Sequence, residues 1–350
     1  MKTLKQLFLL LFSFLFVLIL AELFIKNAKI SEVSFAEYYN DIGKGLAQAD
    51  TFVFFNEGFG IRSTNASRFI GSDVALKKDE NTIRIALVGD SYIESIQVFE
   101  RHYFGNIAKD ILNKKFNQKN IKIEVLNFGR SHFNIGNMYA YQKLLIDEFK
   151  PDYTLYFLSE NDLKCDYSFP PLLPITTIEN GELKTSVNIN KEDFNIYQKT
   201  KYLTQNFVLF NILNFCRKKI KYNETLPIIL GKFYTKSPNV NEGIQNNVEE
   251  LYKMDSITGE IINSMDSSTI IINRGNYKLP VKFKNLCLKN NLTYLELSPT
   301  YELLKNSGIV FDKWSATNKF GHWQHSTHKA IGEKIANIMG DIIQTQLNPN

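Results

Sequence analysis

Four short polar clusters in the sequence carry the residue types that nucleophilic catalysis requires. The tripeptide Gly89-Asp90-Ser91 is the first, and residues 127–132, NFGRSH, are the second. The third is Ser159-Glu160-Asn161-Asp162, and the fourth is GHWQHSTH at residues 321–328. A serine hydroxyl is a weak nucleophile unless a base such as histidine accepts its proton, and the anion formed on the substrate needs hydrogen-bond donors. The clusters contain all three kinds of group.

Each of the first three clusters follows a short apolar segment with β-strand character. The sequence predicts five strands, at residues 83–88, 121–126, 153–158, 268–273 and 292–297. Helical spacing of apolar residues predicts helices at residues 103–116, 137–149, 282–289 and 327–343. Strands that alternate with helices form a parallel sheet covered on both faces, and ligands bind at the carboxyl ends of its strands. We therefore expect the four clusters to line one edge of the sheet.

Composition and cysteine content exclude several classes of protein. The chain has 350 residues, of which 44% are hydrophobic and 13% aromatic, so it can bury a sizeable core and is not disordered. The net charge of +5 is dispersed, with no basic run longer than the cluster at residues 217–221, so no nucleic-acid partner is expected. Cys165, Cys216 and Cys287 lack the spacing of a disulfide framework or a zinc site, and no cofactor is predicted.

The N-terminal segment is apolar enough to enter a membrane. Residues 7–21 form an uncharged apolar run that extends to Ile25 with only Glu22 interrupting it. A helix of this length spans, or nearly spans, a bilayer, and no small-x-small cleavage site precedes Lys26. The sequence therefore favours an uncleaved transmembrane anchor at residues 1–28 over a cleaved signal peptide. The positive-inside bias is slight but indicates a soluble part on the outer face of the membrane.

The remainder divides into a lead-in segment and one large domain. Residues 29–82 are mixed in character and lead into an α/β domain at residues 83–345. The strand and helix rhythm breaks at about residues 165–265, which we interpret as an insertion in that domain. The Asn180-Gly181 pair within it is typical of a two-residue hairpin turn, and residues 202–220 have a possible helical pattern.

The four clusters, in this order and spacing, resemble the conserved blocks of the SGNH (GDSL-type) hydrolase superfamily. The resemblance covers about residues 83–164 and 268–340. The apolar N-terminal segment, GFGIR before the first strand, LELSPTY at the fifth and GHW near the end are similar to membrane-anchored SGNH proteins associated with bacterial surface polysaccharides. The resemblance implies an α/β fold with a three-layer, doubly wound, parallel five-stranded sheet of SGNH/flavodoxin-like type, preceded by an N-terminal transmembrane helix.

The resemblance also implies a role for each candidate residue. Ser91 is the nucleophile, and His322 is the base that takes its proton and returns it to the leaving alcohol. The oxyanion donors are the backbone N–H groups of Ser91 and His132 and the side-chain amide of Asn161. The supporting positions are Gly89, Asp90, Gly129 and Asn318.

Each of these residues, taken alone, also has a simpler structural interpretation. Ser91 is suited to be a helix N-cap, and Asn161-Asp162 to form a loop or a cap. His322, His325 and His328 are spaced too widely around a helix for one tight metal site, so no metal is predicted. The joint occurrence of the clusters in register is what favours catalysis.

Four positions depart from the family pattern. The glycine of the second block is replaced by His132, the glycine of the third by Ser159, and an asparagine near the last block by Gln324. The triad aspartate is missing, because Phe320 and Lys319 occupy its two possible positions. Asn318 would orient His322 only weakly, and Asp312 or an acid from elsewhere in the chain is the alternative.

These observations lead to two hypotheses of different classes. The first is a membrane-anchored, extracytoplasmic serine acyl hydrolase (esterase) or O-acyltransferase that acts on ester groups of a cell-surface glycan through a Ser91 acyl-enzyme. Transfer would also require an acyl-donor membrane protein as a partner. The second is a catalytically degenerate SGNH fold that binds glycan or serves in assembly, which the missing acid favours. Lipase action on membrane lipids is suggested only by the anchor. A carboxylate within about 3.2 Å of a His322 ring nitrogen distinguishes the first two hypotheses.

Overall fold

A computed structural model describes residues 2–28, 36–48, 51–54, 57–165, 167, 172–189, 195, 207–210, 212–213 and 254–348. The chain separates into two compact units. One comprises residues 1–35 and 191–244, and the other comprises residues 36–190 and 245–350.

The first unit contains the apolar helix α1 (Lys2–Ala28). Residues 3–27 of this helix are long and apolar enough to cross a membrane, and their large apolar side chains are exposed. Glu22 is the acidic residue within this stretch, and its carboxylate accepts hydrogen bonds from the backbone N–H groups of Val208 and Leu209. These contacts satisfy a charged group on an otherwise apolar helix.

The second unit is built around a five-stranded parallel sheet that has all five predicted strands. The described strands of the whole unit, in chain order, are β1 (Ala36–Tyr39), β2 (Gly43–Leu46), β3 (Thr51–Phe54), β4 (Gly60–Ser63), β5 (Thr82–Val88), β6 (Lys122–Asn127), β7 (Tyr153–Leu158), β8 (Leu172–Glu179), β9 (Glu182–Ile189), β10 (Thr269–Asn273), β11 (Thr293–Glu296), β12 (Lys313–Trp314) and β13 (Lys319–Phe320). The sheet has the order β11-β10-β7-β5-β6, and every neighbouring pair is parallel. This is the doubly wound order in which the direction of winding reverses between β5 and β7, where ligands bind in such folds. The predicted fold class is confirmed.

Helices cover both faces of the sheet. In chain order they are α2 (Ser91–Glu94), α3 (Phe104–Phe116), α4 (Ile135–Leu144), α5 (Ser256–Ser264), α6 (Val281–Lys289), α7 (Ser298–Asn306) and α8 (His325–Leu347). The helix predicted at residues 137–149 is α4 followed by a separate 3-10 turn at Ile146–Phe149. Helices α5 and α7 were not predicted, and the helix predicted at residues 202–220 lies largely outside the described residues.

The alternation of side chains along β5 separates the core into two layers. Ala86 and Val88 face the layer that contains apolar residues of α4, α5 and α6. Ile85 and Leu87 face the other layer, which contains residues of α3, α7 and α8. Helix α3 buries Phe104, Ala108, Leu112 and Phe116 at four-residue spacing, so one stripe of the helix faces the sheet. Because both faces of β5 are buried, residues 85–88 form an uninterrupted apolar run, and the buried Arg84 before them pairs with Glu124.

The predicted hairpin in the insertion is present as β8 and β9. These strands pair antiparallel with Glu179 opposite Glu182, so Asn180 and Gly181 form the two-residue turn. Their φ angles of 55° and 84° are both positive, as a type I′ turn requires and as asparagine and glycine tolerate best. The side-chain amide of Asn137 in α4 donates to the carbonyl of Pro174 at 2.7 Å, which attaches the hairpin to the helical layer.

The segment before the sheet is folded against the residues that follow α2. Arg62 of β4 is fully buried and donates to the carbonyl of Ser95 at 3.0 Å. A Cβ at Gly60 would lie 2.3 Å from the carbonyl oxygen of Ile96, and one at Gly58 would lie 2.4 Å from the ring of Trp314. Only glycine permits this close backbone approach. The segment containing Glu57 therefore lies beside the carboxyl edge of the sheet.

Candidate active site

The turn after β5 presents Ser91 at the carboxyl edge of the sheet. Ser91 is the first residue of α2, and the preceding Asp90 caps this helix by accepting a hydrogen bond from Tyr92 N–H at 3.0 Å. The turn is tight, because a Cβ at Gly89 would lie 2.3 Å from Ile93 Cγ1. Residues that begin a helix have no intrahelical partner for their N–H groups, so the backbone of Ser91 retains a donor suited to an oxyanion.

His322 lies within hydrogen-bond distance of Ser91. Its Nε2 is 2.8 Å from Ser91 Oγ, which is the distance at which a base accepts a hydroxyl proton. Trp314 Nε1 donates to the His322 carbonyl at 2.9 Å, and the Tyr92 ring packs against the imidazole at 4.8 Å between ring centroids. The His322 side chain remains 26% exposed, so a substrate can reach it.

The carboxylate that completes the arrangement belongs to Glu57. Its Oε1 hydrogen bonds to His322 Nδ1, and its Oε2 accepts the backbone N–H of His322 at 3.1 Å. Burial alone raises the pKa of Glu57, but the hydrogen bonds and charge of His322 more than offset this effect, so the pKa is lowered overall. Glu57 therefore stays ionised and holds the imidazole with Nε2 directed at Ser91.

The residues considered from the sequence as sources of the acid lie elsewhere. Phe320 is 60% exposed, and Asn318 occupies the turn between β12 and β13 with a φ of 54°. Asp312 contributes its backbone carbonyl, which accepts the N–H of Gly321 at 2.9 Å. The only sequence signal for Glu57 was its position beside GFGIR, in the stretch NEGFGIR, and its partner is 265 residues away.

The loop after β6 is attached to α2 by a buried carboxylate. Glu94 is 1% exposed and accepts hydrogen bonds from both the N–H and the hydroxyl of Ser131. Lys44 donates to the Ser131 carbonyl at 2.7 Å, and burial lowers the pKa of this lysine. A Cβ at Gly129 would lie 2.1 Å from the backbone nitrogen of Glu94, so the loop and the helix approach at backbone distance. These contacts determine where the next residue, His132, presents its N–H.

His132 has the backbone conformation that a glycine would adopt most easily. Its φ is 70°, in the left-handed region that costs a residue with a Cβ about 1 kcal/mol or more. His132 therefore occupies a turn position at which a glycine carries no such cost. Burial, together with the charge of Lys44, lowers the pKa of the exposed imidazole of His132.

Arg274 links the first and third clusters across the point where the winding of the sheet reverses. Its guanidinium forms ion pairs with Asp90, the residue before Ser91, and with Asp162, the residue after Asn161. It also lies over the Tyr92 ring at 4.3 Å from the centroid. Asp162 in turn accepts hydrogen bonds from the N–H and hydroxyl of Ser159, at 2.7 and 2.9 Å. The relative position of Ser91 and the exposed Asn161 is therefore fixed through one buried cation.

The other histidines of the fourth cluster serve in packing. His328 is buried, its Nδ1 lies 3.4 Å from the N–H of Phe104, and burial lowers its pKa well below the usual value. His325 packs against the rings of His102 and Trp314. Within the described ranges there is no group of three or more His, Cys, Asp or Glu side chains placed to hold a metal ion.

Comparison with known proteins adds two distant structural likenesses. No protein-family model matches the chain, and no curated protein matches its sequence. The chain is 12% identical to a lipase/acylhydrolase from Enterococcus faecalis, with 74% of this chain and 96% of the other covered and a TM-score of 0.33. It is 13% identical to a gut microbial diltiazem-metabolizing enzyme, with 75% of this chain and 48% of the other covered and a TM-score of 0.33. At these values neither likeness bears on the activity of this chain.

Neutralising the carboxylate tests whether Glu57 acts in the triad. We expect Glu57→Gln to lower kcat for p-nitrophenyl acetate hydrolysis by about 10⁴-fold, as when a triad carboxylate is replaced by an amide. Phe320→Asp should leave kcat unchanged, because Glu57 already occupies Nδ1 of His322. A large gain in activity from Phe320→Asp would instead mean that Glu57 does not serve as the acid.

The substitution Gly321→Ala tests the contact between Glu57 and His322 by adding one methyl group. A Cβ at Gly321 would lie 1.3 Å from Glu57 Oε2, so Gly321→Ala must displace the carboxylate. We expect kcat to fall about as far as in Glu57→Gln, with the melting temperature measured in parallel. The matched control is Gly259→Ala, where the added Cβ meets only Met254 at 3.9 Å. Activity at the wild-type level in Gly321→Ala would contradict the assignment.

The buried Asp162 predicts a specific dependence of stability on pH. Burial raises the pKa of Asp162 from 3.8 to about 7, against the opposing charge of Arg274. The folded state thus keeps a proton that the unfolded state releases, so this contribution to stability is present below pH 3.8 and is lost as pH rises to about 7. We expect the wild type to lose more free energy of unfolding than Asp162→Asn over this range, measured by urea denaturation. If the free energy of unfolding changed with pH in the same way in both proteins, Asp162 would have the same pKa in the folded and unfolded states.

Proposed function

We propose that this chain is a serine acyl hydrolase or O-acyltransferase that acts on ester groups of a cell-surface glycan through a Ser91 acyl-enzyme. The observation that carries the proposal is the hydrogen-bonded series Ser91, His322 and Glu57 at the carboxyl edge of a doubly wound sheet. Such a series activates a hydroxyl that is otherwise unreactive at neutral pH.

In the first half of the reaction, Ser91 Oγ attacks the carbonyl carbon of the ester while His322 Nε2 takes the hydroxyl proton. The carbonyl oxygen becomes an oxyanion, for which the N–H groups of Ser91 and His132 and the amide of Asn161 are the proposed donors. Glu57 stabilises the imidazolium. The intermediate then collapses, the bond to the leaving alcohol breaks, and His322 returns the proton to that alcohol.

In the second half, a hydroxyl group attacks the acyl-enzyme at the same carbonyl carbon. His322 takes the proton from this hydroxyl, and the bond to Ser91 Oγ breaks as Oγ recovers a proton. Water as the attacking molecule gives hydrolysis, and a sugar hydroxyl gives transfer. In the case of transfer, an acyl-donor membrane protein would be the partner that loads Ser91.

Helix α1 supports the proposal that the protein is anchored in a membrane. Its residues 3–27 are long and apolar enough to span a bilayer. Lys2, Lys5 and the terminal amine precede the apolar run and Lys26 and Lys29 follow it, so a slight positive-inside bias favours a cytoplasmic N-terminus. We propose a single-pass anchor with the α/β unit on the extracytoplasmic side. Surface glycans are ester-bearing polymers within reach of an enzyme held there.

The alternative of a catalytically degenerate binding or assembly protein loses its main argument. That hypothesis depended on the absence of an acid at Phe320 and Lys319. Glu57 provides a carboxylate in hydrogen-bond contact with Nδ1 of His322, which is the feature that distinguishes the two hypotheses. Of the other departures, His132 leaves a backbone N–H group at its position as a glycine would.

Covalent labelling tests the proposed nucleophile. We expect a serine-directed fluorophosphonate to add one label to the full chain in detergent, detected by intact-mass spectrometry, because His322 activates Ser91. Ser91→Ala should remain folded and take no label, since this side chain is only partly buried at a strand end. Labelling that persists in Ser91→Ala, or no labelling of folded wild type, would overturn the proposed mechanism.

A further inference from the structure

A cleft of about 370 Å³ lies beside the nucleophile and is not used by the acyl-transfer chemistry. Its wall includes both chain neighbours of Ser91, namely Asp90 and Tyr92, together with Asn161. Its other side is formed by the loop that follows β10. The cleft therefore lies where the part of an ester substrate next to the scissile bond would be held.

Glu160 leaves a hydrogen-bond acceptor unused in this cleft. Its Oε2 is buried and has no hydrogen-bond partner among the described residues. The other two carboxylates of the wall, Asp90 and Asp162, are both paired with Arg274. A buried carboxylate oxygen without a donor is costly, and Glu160 is the carboxylate of the wall that Arg274 does not pair with.

The loop opposite Glu160 packs closely against that oxygen. A Cβ at Gly275 would lie 2.7 Å from Glu160 Oε2, so only a glycine leaves space there. The side chain of Asn273 holds the loop in place, since it accepts the N–H of Gly275 at 3.0 Å and donates to the carbonyl of Tyr277 at 2.9 Å. The position of the loop that borders Glu160 is thus fixed by the side chain of Asn273.

The remaining groups of the wall suit a ring that carries hydroxyl groups. Asn161 and Asn276 add side-chain amides, which both donate and accept hydrogen bonds. Tyr277 is 50% exposed and presents an aromatic ring with a polar tip at the cleft. Amides, a carboxylate and an exposed aromatic ring together match the alternating polar edges and apolar faces of a sugar.

The charges of the wall oppose an anionic ligand. Three carboxylates, those of Asp90, Glu160 and Asp162, surround the single guanidinium of Arg274. That guanidinium is already paired with two of them, so the cleft offers no unpaired cation to a carboxylate or phosphate. A like charge placed beside Glu160 is repelled.

We propose that this cleft is a substrate subsite for a neutral, hydroxyl-rich sugar unit, with the carboxylate of Glu160 as the group that discriminates against acidic sugars. The inference rests on the proposed function and narrows it, because it specifies which ester-bearing glycans the enzyme accepts. Uronic acids and phosphorylated sugars are excluded from the position next to the scissile ester.

The test compares two O-acetylated substrates, methyl glucoside and the methyl glycoside of glucuronic acid with its carboxylate free, using the full chain in detergent. We expect wild-type kcat/KM to favour the glucoside by about tenfold or more, as one unfavourable charge contact predicts. Glu160→Gln should bring this ratio toward one, because the repelling charge is lost at constant size.

Gly275→Ala should raise KM for the glucoside with little change in kcat, and Gly259→Ala is the control. The subsite would be overturned if Glu160→Gln had the same ratio of kcat/KM values as the wild type and Gly275→Ala had the same KM for the glucoside.

A binding measurement separates failure of the subsite from failure of the proposed function. Saturation-transfer NMR with Ser91→Ala and unacetylated methyl glucoside does not depend on catalysis. We expect a signal in Ser91→Ala that is lost when Gly275→Ala is added. If the fluorophosphonate labels Ser91 but the glucoside does not bind, the subsite is wrong and the function stands. If no label is taken but the glucoside binds and Gly275→Ala removes it, the function is wrong and the subsite stands.

Discussion

A buried carboxylate held against an imidazole joins distant parts of the α/β unit. Glu57 binds both the ring and the backbone N–H of His322, and the Thr317 hydroxyl donates to the Glu57 carbonyl at 2.6 Å. Because a buried charge is costly unless it is paired, these contacts restrict the chain around Glu57 as well as the entry into α8. The orientation of His322 toward Ser91 depends on this one pairing.

The rest of the site follows from the topology of the sheet. Since β5 and β7 are adjacent and parallel, the turns after them lie side by side at the same edge. The Asp90 and Asp162 carboxylates would repel each other there, and Arg274 from the end of β10 neutralises both. Glu94 likewise holds the loop after β6 in place, because its carboxylate accepts the N–H of Ser131. Buried charges outside the reaction thus hold the backbone that the chemistry uses.

The sequence predicted the central sheet well because its strands carry a strong local signal. Both faces of β5 and β7 are buried, and such strands read as apolar runs whatever surrounds them. Because the strand ends could be recognised, the polar clusters that follow them could be assigned to the carboxyl edge of the sheet. Ser91 and His322 were thereby expected at one edge, and the structure brings them to 2.8 Å.

Glu57 was beyond this kind of inference. It lies in a short connection between β3 and β4, where no periodicity indicates a direction, and its contact with His322 spans 265 residues. The short helices α5 and α7 were missed because nine residues give few turns over which an apolar stripe can repeat. The φ of 70° at His132 could not be predicted either, because a histidine gives no local signal for the left-handed region.

The distance in sequence between Glu57 and His322 has a consequence for biosynthesis. Ribosomes make the chain from its N-terminus, so Glu57 and Ser91 emerge long before the histidine that connects them. A nascent or truncated chain that ends before residue 322 has a complete nucleophile turn and most of the sheet, but no base. The proposed series Ser91, His322 and Glu57 can therefore be completed only after the segment leading into α8 has been made. Under the proposed mechanism, an incomplete product of translation would lack the base.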